Sequence, residues 1–278
     1  MNIELRNISI ICAKEIRDAF RNRWFLLISL IFTGLSLGFS FMGSSGLGTL
    51  GISGFGRTTM SLLNLVLLVV PLMALLLGSI SLAGEREHGT LRSLLAQPVN
   101  TAEIFLGKFT GTAAALTLTL LAGFGFSGLV VGFYGGPSNI GIYLTLLTCT
   151  VLLGLVFLAA GFCISVLSGR TATAIGAALF LWFLFMVLSD LGMMGSAVVL
   201  KLQPRDFFWL TLLNPAQCFK MATVGLIQGD LDILGPAGRY AVDSFGDGFP
   251  WILTTVLASW GVFPLGVSLW LFKKQKGE

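Results

Sequence analysis

Charge is scarce in this chain. Of 278 residues, 11% are Asp, Glu, Lys or Arg and 55% are hydrophobic, with a mean hydropathy of +0.90. A soluble domain carries about 25% charged residues, so a water-soluble fold is excluded and an integral membrane protein is expected.

Other absences narrow the chemistry. There is one histidine, His88. With one histidine, a His-Glu-x-x-His zinc site is impossible. Gly43-Ser44-Ser45-Gly46 and Gly125-Phe126-Ser127-Gly128 match the Gly-x-Ser-Gly pattern of rhomboid-like proteases. Such a serine needs a nearby base, and His88 is far from both, so helix packing by small residues explains them. No Gly-x-x-x-x-Gly-Lys-Ser/Thr phosphate loop occurs, so ATP is not bound here by that device. Leu167-Ser168-Gly169-Arg170 has only part of an ABC signature and abuts apolar runs.

The four cysteines, Cys12, Cys149, Cys163 and Cys218, are scattered. Cys149 and Cys163 fall on one expected helix about 21 Å apart, too far to bridge. Only eight prolines accompany 35 glycines, a balance that suits closely packed membrane helices.

What remains is six long apolar runs. They cover residues 24–42, 59–83, 109–133, 140–167, 171–188 and 250–272. A run of about 20 residues crosses about 30 Å of hydrocarbon. Pro71 is expected to kink the second run, and Asn64 to turn inward. Gly107/Gly111 and Gly128/Gly132 are pairs suited to close helix contact. Gly43 to Gly56 reads as an outer loop, Tyr134 to Asn139 as a turn, and Asp190 as a span exit. Residues 1–23 carry Leu5, Ile8, Cys12, Ile16, Ala19 and Phe20 at helical spacing, with Glu4, Asn7, Lys14, Arg17, Asp18 and Arg21 opposite. That pattern predicts an interfacial helix lying on the membrane rather than a cleaved leader.

Residues 195–249 form the longest stretch between spans, with Phe207-Phe208-Trp209 as an aromatic patch. Asn214 as cap and Pro215 at the first position start a helix there, and Gly229 is expected to end it. Cys218 and Met221, three apart on that helix, are expected to share a face. Met193 and Met194 lie near the outer end of the fifth span. Sulfur ligands suit Cu(I), which makes Cys218 and Met221 a candidate copper contact; ordinary packing of sulfur side chains is the alternative.

Orientation follows from the basic residues. With the amino terminus inside, inner segments hold twelve of the 17 Lys and Arg and outer segments hold Arg57, Lys201, Arg205, Lys220 and Arg239. The positive-inside rule then places both termini in the cytoplasm.

The one dense charged island is residues 84–108, between runs without charge from Thr58 to Ala83 and from Phe109 to Gly169. It holds Glu85, Arg86, Glu87, His88, Arg92, Glu103 and Lys108. Thr90 can cap a short helix to Gln97 with Leu91, Leu94 and Leu95 on one face, and Pro98 ends it. Asn100 and Glu103 form a capping box for the next helix. The plain alternative is a solvated connector with a snorkelling Lys108.

The pattern Glu85, Arg86, Glu87, Gly89, Thr90, Leu91, Leu94, Leu95, Pro98, Gly107 and Lys108 resembles the coupling loop of ABC-2-type transporter permeases. The resemblance implies an all-α membrane domain of the type V exporter kind over residues 1–278. It has six spans, an interfacial helix at 1–23, a cytoplasmic coupling loop at 84–108 and a periplasmic segment at 195–249. It also implies that Glu85, Arg86, Glu87, Gly89, Thr90, Leu91, Leu94 and Leu95 couple to a separate cytoplasmic ABC ATPase. The chain itself would then be no enzyme and carry no cofactor, with ATP on the partner.

Arg21-Asn22-Arg23-Trp24, Trp182-Phe183-Leu184-Phe185 with Asp190-Leu191, and Leu212-Leu213-Asn214-Pro215 extend the likeness. They are similar to the permeases of transporters that help mature nitrous oxide reductase. That implies a bacterial inner-membrane homodimer, an ATPase of the NosF type and a periplasmic β-helix protein of the NosD type, with no nucleic acid among the partners. The cargo would be a sulfur or copper species for the reductase's copper sites. Export of an ion, drug or lipid, or a non-transporting membrane assembly role, are the alternatives.

Overall fold

The computed structural model describes residues 4–44, 53–97, 99–135, 140–189, 191–192, 203–228 and 235–275. Pro98, most of the loop after Gly43, the turn at 136–139, Asp190, Met193, Met194 and Gly229 lie outside the described residues. Among the described residues every regular element is helical: α1 (Leu5–Arg21), α2 (Arg23–Ser44), α3 (Ser53–Glu87), α4 (Thr90–Leu95), α5 (Thr101–Gly135), α6 (Ile140–Leu167), α7 (Thr171–Phe183), α8 (Pro204–Leu212), α9 (Pro215–Gln228), α10 (Gly235–Phe245) and α11 (Phe249–Lys274). Six of them, α2, α3, α5, α6, α7 and α11, are long and apolar enough to cross a membrane.

The bundle is built around α3 and α6. Each has 61% of its apolar span buried, against 22% for α2 and 11% for α7. The two meet where neither has a side chain. A Cβ on Gly78 would stand 2.7 Å from the Leu158 carbonyl oxygen, and one on Gly161 would stand 2.8 Å from that of Leu75. In a bilayer, where apolar side chains gain little by leaving lipid, such backbone contact supplies the packing.

The helix α3 runs through Pro71 and continues to Glu87, one turn beyond the expected exit. It stops at Gly89, whose φ of +74° an L side chain rarely adopts. Helix α5 begins as its capping box predicts, with the Asn100 N–H donating to Glu103 Oε2 at 3.2 Å and the Ala102 N–H to Asn100 Oδ1 at 3.2 Å. The last turn of α7 widens into a π-helical segment, Leu184–Leu188. Ser127, one of the two candidate serines, bonds the Tyr143 hydroxyl and the Phe124 carbonyl and has no base beside it.

The Gly107/Gly111 pair makes the close helix contact expected of it, and the helix it seats is α1: a Cβ on Gly107 would meet Ile11 Cβ at 2.8 Å, and one on Gly111 would meet Glu15 Cβ at 2.6 Å. The face α1 buries is Ile11, Glu15 and Ala19, while Leu5 is 81% exposed. Burial follows the contact with α5, and Leu5 and Phe20 of the apolar stripe remain on the surface of the bundle. The far end of the bundle closes with α8 to α10, where Phe208, Met221, Ala222, Ala241, Phe249 and Leu253 form a second core cluster. Helix α9 is not confined to the surface; Cys218, Phe219 and Val224 belong to the main core.

Candidate functional site

The last turn of α3 sends three consecutive charges in three directions. Glu85 turns inward, with its side chain 16% exposed, and its Oε1 accepts from Lys14 Nζ at 2.9 Å. Lys108 Nζ lies 3.2 Å from the same oxygen and donates to Glu15 Oε1 at 2.6 Å. Lys14 also lies 3.7 Å from Glu15 and 3.8 Å from Asp18. Two ammonium groups and three carboxylates thus join α1, α3 and α5 into one joint. Desolvating such charges is expensive unless each is paired, and here each buried one has an opposite charge within contact distance. Burial opposes the Lys14 charge, yet the bond and field of Glu85, with Glu15 and Asp18, hold its pKa above the ordinary lysine value. Beside the joint, Glu85 Oε2 and Ser81 Oγ are buried without a partner and line a cavity of about 230 Å³.

Arg86 closes a different helix. Its Nη1 donates to the carbonyls of Val166 at 3.0 Å and Ser168 at 2.9 Å, and its Nη2 to Gln275 Oε1 at 2.7 Å. Carbonyls at a helix C-terminus lack intrahelical donors, so Arg86 satisfies the end of α6 and ties it to the residue after α11. Glu87 is exposed, and its Oε2 accepts from the Thr171 N–H at 2.7 Å, capping α7. Thr90 Oγ1 donates to the Glu85 carbonyl at 3.2 Å, and His88 Nδ1 lies 2.7 Å from that of Gly84.

Helix α4 then lies on the bundle as a short lid. Leu91 is 5% exposed, and Leu94 and Leu95 are half-buried against the core. The surface left open comprises Glu87, His88, Gly89, Thr90, Ser93, Ala96 and Gln97. A groove of about 550 Å³ runs beside it between Leu91 and Leu95 on one wall and Phe272 and Gln275 on the other.

All eight residues expected to couple therefore fall on one connection, but they divide: Glu85, Arg86 and Leu91 hold the bundle, while Glu87, Gly89 and Thr90 face out. Sequence reasoning missed Lys14 and Glu15 as members of the site, and its alternative of a snorkelling Lys108 is overturned, since Lys108 is 1% exposed and bonded to Glu15. It also missed the second task of Glu103, which accepts from the Glu4 N–H at 2.9 Å and Asn7 Nδ2 at 3.0 Å and so fastens the start of α1. An acid within the stripe Ile8, Ile11, Glu15, Ala19 was the available signal.

Cys218 and Met221 pack into different core clusters. Cys218 is wholly buried in the main core, its Sγ 3.4 Å from the Thr211 carbonyl, and burial pushes its thiol up to about 12. Met221 belongs to the far-end cluster. Spacing of three puts the two on neighbouring positions of α9, but that helix is covered on more than one side and each sulfur packs into a different cluster. A thiol with so high a pKa is a poor source of the thiolate that binds soft metals. Among the described residues no group of three or more His, Cys, Asp or Glu is placed to hold a metal ion.

Comparison with known proteins fits this geometry. A protein named probable ABC transporter permease protein NosY, from Stutzerimonas stutzeri, is 34% identical over 270 residues, covering 94% of each chain. Its namesake from Pseudomonas aeruginosa is 37% identical over 217 residues, 76% of this chain and 79% of the relative. The ABC-2 family transporter protein pattern matches residues 9–276, so this multi-pass chain belongs to the ABC-2 family of transporter permeases.

Proposed function

We propose that this chain forms the membrane pathway of an ABC exporter that supplies a sulfur or copper species to the copper sites of nitrous oxide reductase. The observation that carries the reading is the likeness to two permeases named NosY, over 94% of this chain for one and 76% for the other. In this reading the chain works as a homodimer in the bacterial inner membrane, both termini cytoplasmic. An ATPase of the NosF type binds ATP and docks on the exposed side of the α3–α4–α5 connection. A periplasmic β-helix protein of the NosD type sits on the far end.

The joint around Lys108 supports such coupling mechanically. Helices α3 and α5 are each 35 residues long, about 50 Å at 1.5 Å per residue. A displacement of α4 pulls directly on the end of α3. Through Glu85 and Lys108 it reaches α5 and α1, and through Arg86 and Glu87 it reaches α6, α11 and α7. The motion of one short helix is thereby shared by most of the bundle.

Deleting the gene tests the reading. Cells without this chain are expected to export folded nitrous oxide reductase that lacks its sulfide-bridged copper centre. A fully metallated, active reductase in the deletion strain would overturn the maturation role and leave an ABC-2 permease with another cargo.

A further inference from the structure

Helix α1 packs closely on α5 but hardly touches α3. Between α1 and α3, over Lys108 and Thr112 of α5, lies the cavity of about 230 Å³ beside the charged joint. Its α1 wall is polar, with Glu15, Asp18 and Asn22. Its α3 wall changes character, from Glu85 and Ser81 to the apolar Ile80 and Leu77. Leu77 stands eight residues before Glu85, about 12 Å further into the span. The headgroup layer on each side of a bilayer is about 5–8 Å thick. The cavity therefore crosses the headgroup layer and reaches the first carbons of the acyl chains.

Two polar atoms call for an occupant. Glu85 Oε1 is taken by Lys14 and Lys108, whereas Oε2 of the same carboxylate is buried without a partner. Ser81 Oγ, one turn earlier on α3, is buried and unpartnered as well. A buried carboxylate oxygen left unbonded is costly, and only a donor satisfies it. Nearer water the demand reverses. Asn22 spends its Oδ1 on the Trp24 and Phe25 N–H groups, at 3.0 and 3.4 Å, which leaves its Nδ2 hydrogens for an acceptor. Lys14, half-exposed and 3.8 Å from Asp18, adds a positive charge there. The cavity thus asks for a donor within and an acceptor outside.

We infer that it holds the headgroup of a phosphatidylethanolamine. The ammonium meets Glu85 Oε2 and Ser81 Oγ, the phosphate lies toward Asn22 and Lys14, and the chains run beside Ile80 and Leu77. Charge decides against an anionic lipid, because three carboxylates face the cavity and Lys108 is already bonded to two of them. Choline has no N–H, so a phosphatidylcholine would leave Glu85 Oε2 unbonded. A metal ion is disfavoured, since among the described residues no group of three or more His, Cys, Asp or Glu is placed to hold one. The volume is also several times the roughly 30 Å³ share of a single water, and the apolar α3 wall favours a lipid over a free amine. Bound there, the lipid fills the gap between α1 and α3 and completes the joint, whatever cargo the permease carries.

The test uses the full chain, purified in detergent, stripped of lipid and followed by native mass spectrometry. Phosphatidylethanolamine, phosphatidylcholine and phosphatidylglycerol with the same acyl chains are titrated in turn. The first should bind about tenfold or more tightly than the others, as expected for a charge-assisted hydrogen bond that they cannot make. Free phosphoethanolamine at the same concentration should not displace it. Ser81→Met fills the space beside Glu85 and should abolish the preference, with melting of the lipid-free protein no lower than wild type. A second measurement needs no variant. A phosphatidylethanolamine with a photoreactive group near its glycerol should label the peptides that hold Asn22, Leu77 and Ile80, and excess unlabelled phosphatidylethanolamine, but not phosphatidylcholine, should suppress the labelling. Equal binding of the three lipids, a preference kept in Ser81→Met, displacement by free phosphoethanolamine, or labelling spread evenly over the spans would overturn the assignment.

Discussion

Lys108 and Phe208 are each 1% exposed, and each is the hub of one end of the bundle. Around Lys108 are Glu15, Glu85 and, through Glu85, Lys14. Around Phe208 are the rings of Phe245 at 5.5 Å, Trp209 and Phe249 at 5.8 Å and Tyr240 at 5.9 Å. The first hub works only when every partner is present and correctly placed, because a buried charge left alone is costly. The second works by area and shape, so its members can shift and still exclude water. A joint of the first kind holds one geometry and passes displacement on. A cluster of the second kind tolerates adjustment.

Removing the hub of the charged end should have the largest effect. Lys108→Met leaves Glu15 and Glu85 buried together with only the half-exposed Lys14 as a cation and is expected to destabilise the protein by about 3 kcal/mol or more. Thermal unfolding in detergent, followed by size-exclusion chromatography, reads the loss. Neutralising the whole group, Lys108→Met with Glu15→Gln and Glu85→Gln, should recover most of it, since replacing a buried ion group entirely is often near neutral. A stable single variant, or a triple no better than the single, would mean that the two ends do not differ as described.

At the aromatic end the loss should be smaller and confined. Phe208→Ala is expected to cost about 3 kcal/mol, near the low end for a buried phenylalanine, because Trp209 and Phe245 are 53% and 40% exposed and can close over the gap. Hydrogen exchange should quicken in α8, α9 and α10, with the α3–α4–α5 connection and its ATPase association unchanged. Equal loosening at both ends would show that the clusters are mechanically one.

What could be read in advance follows the same division. The six spans were legible because each is a single uninterrupted run, and the starts of α5 and α9 because Asn100/Glu103 and Asn214/Pro215 lie within three residues of their targets. The joint was not, since Lys108 and Glu15 are 93 positions apart and no local period relates them. The contact between α1 and α5 was not legible for the same reason: the glycine notch of α5 lies about a hundred residues on from Ile11 and Glu15. Cys218 and Met221 were paired by spacing alone, which could not foresee that both sides of α9 are covered.

The smallest structural effect, and the one that best separates holding from docking, concerns Glu87. It lies two residues after Glu85 yet faces outward, and its Oε2 accepts from the Thr171 N–H. Glu87→Gln keeps a carbonyl oxygen for that N–H and removes only the charge, so melting should not change measurably. Glu87→Arg reverses the charge on the surface proposed to meet the ATPase. A single exposed pair contributes little, so affinity for the ATPase should fall only about two- to fivefold, and the difference should vanish at high salt. Pull-down of the ATPase across a salt series measures it. If Glu87→Arg binds the ATPase as wild type does at low salt, Glu87 serves α7 alone and the docking contact belongs to the uncharged rim of Gly89, Thr90 and Ser93.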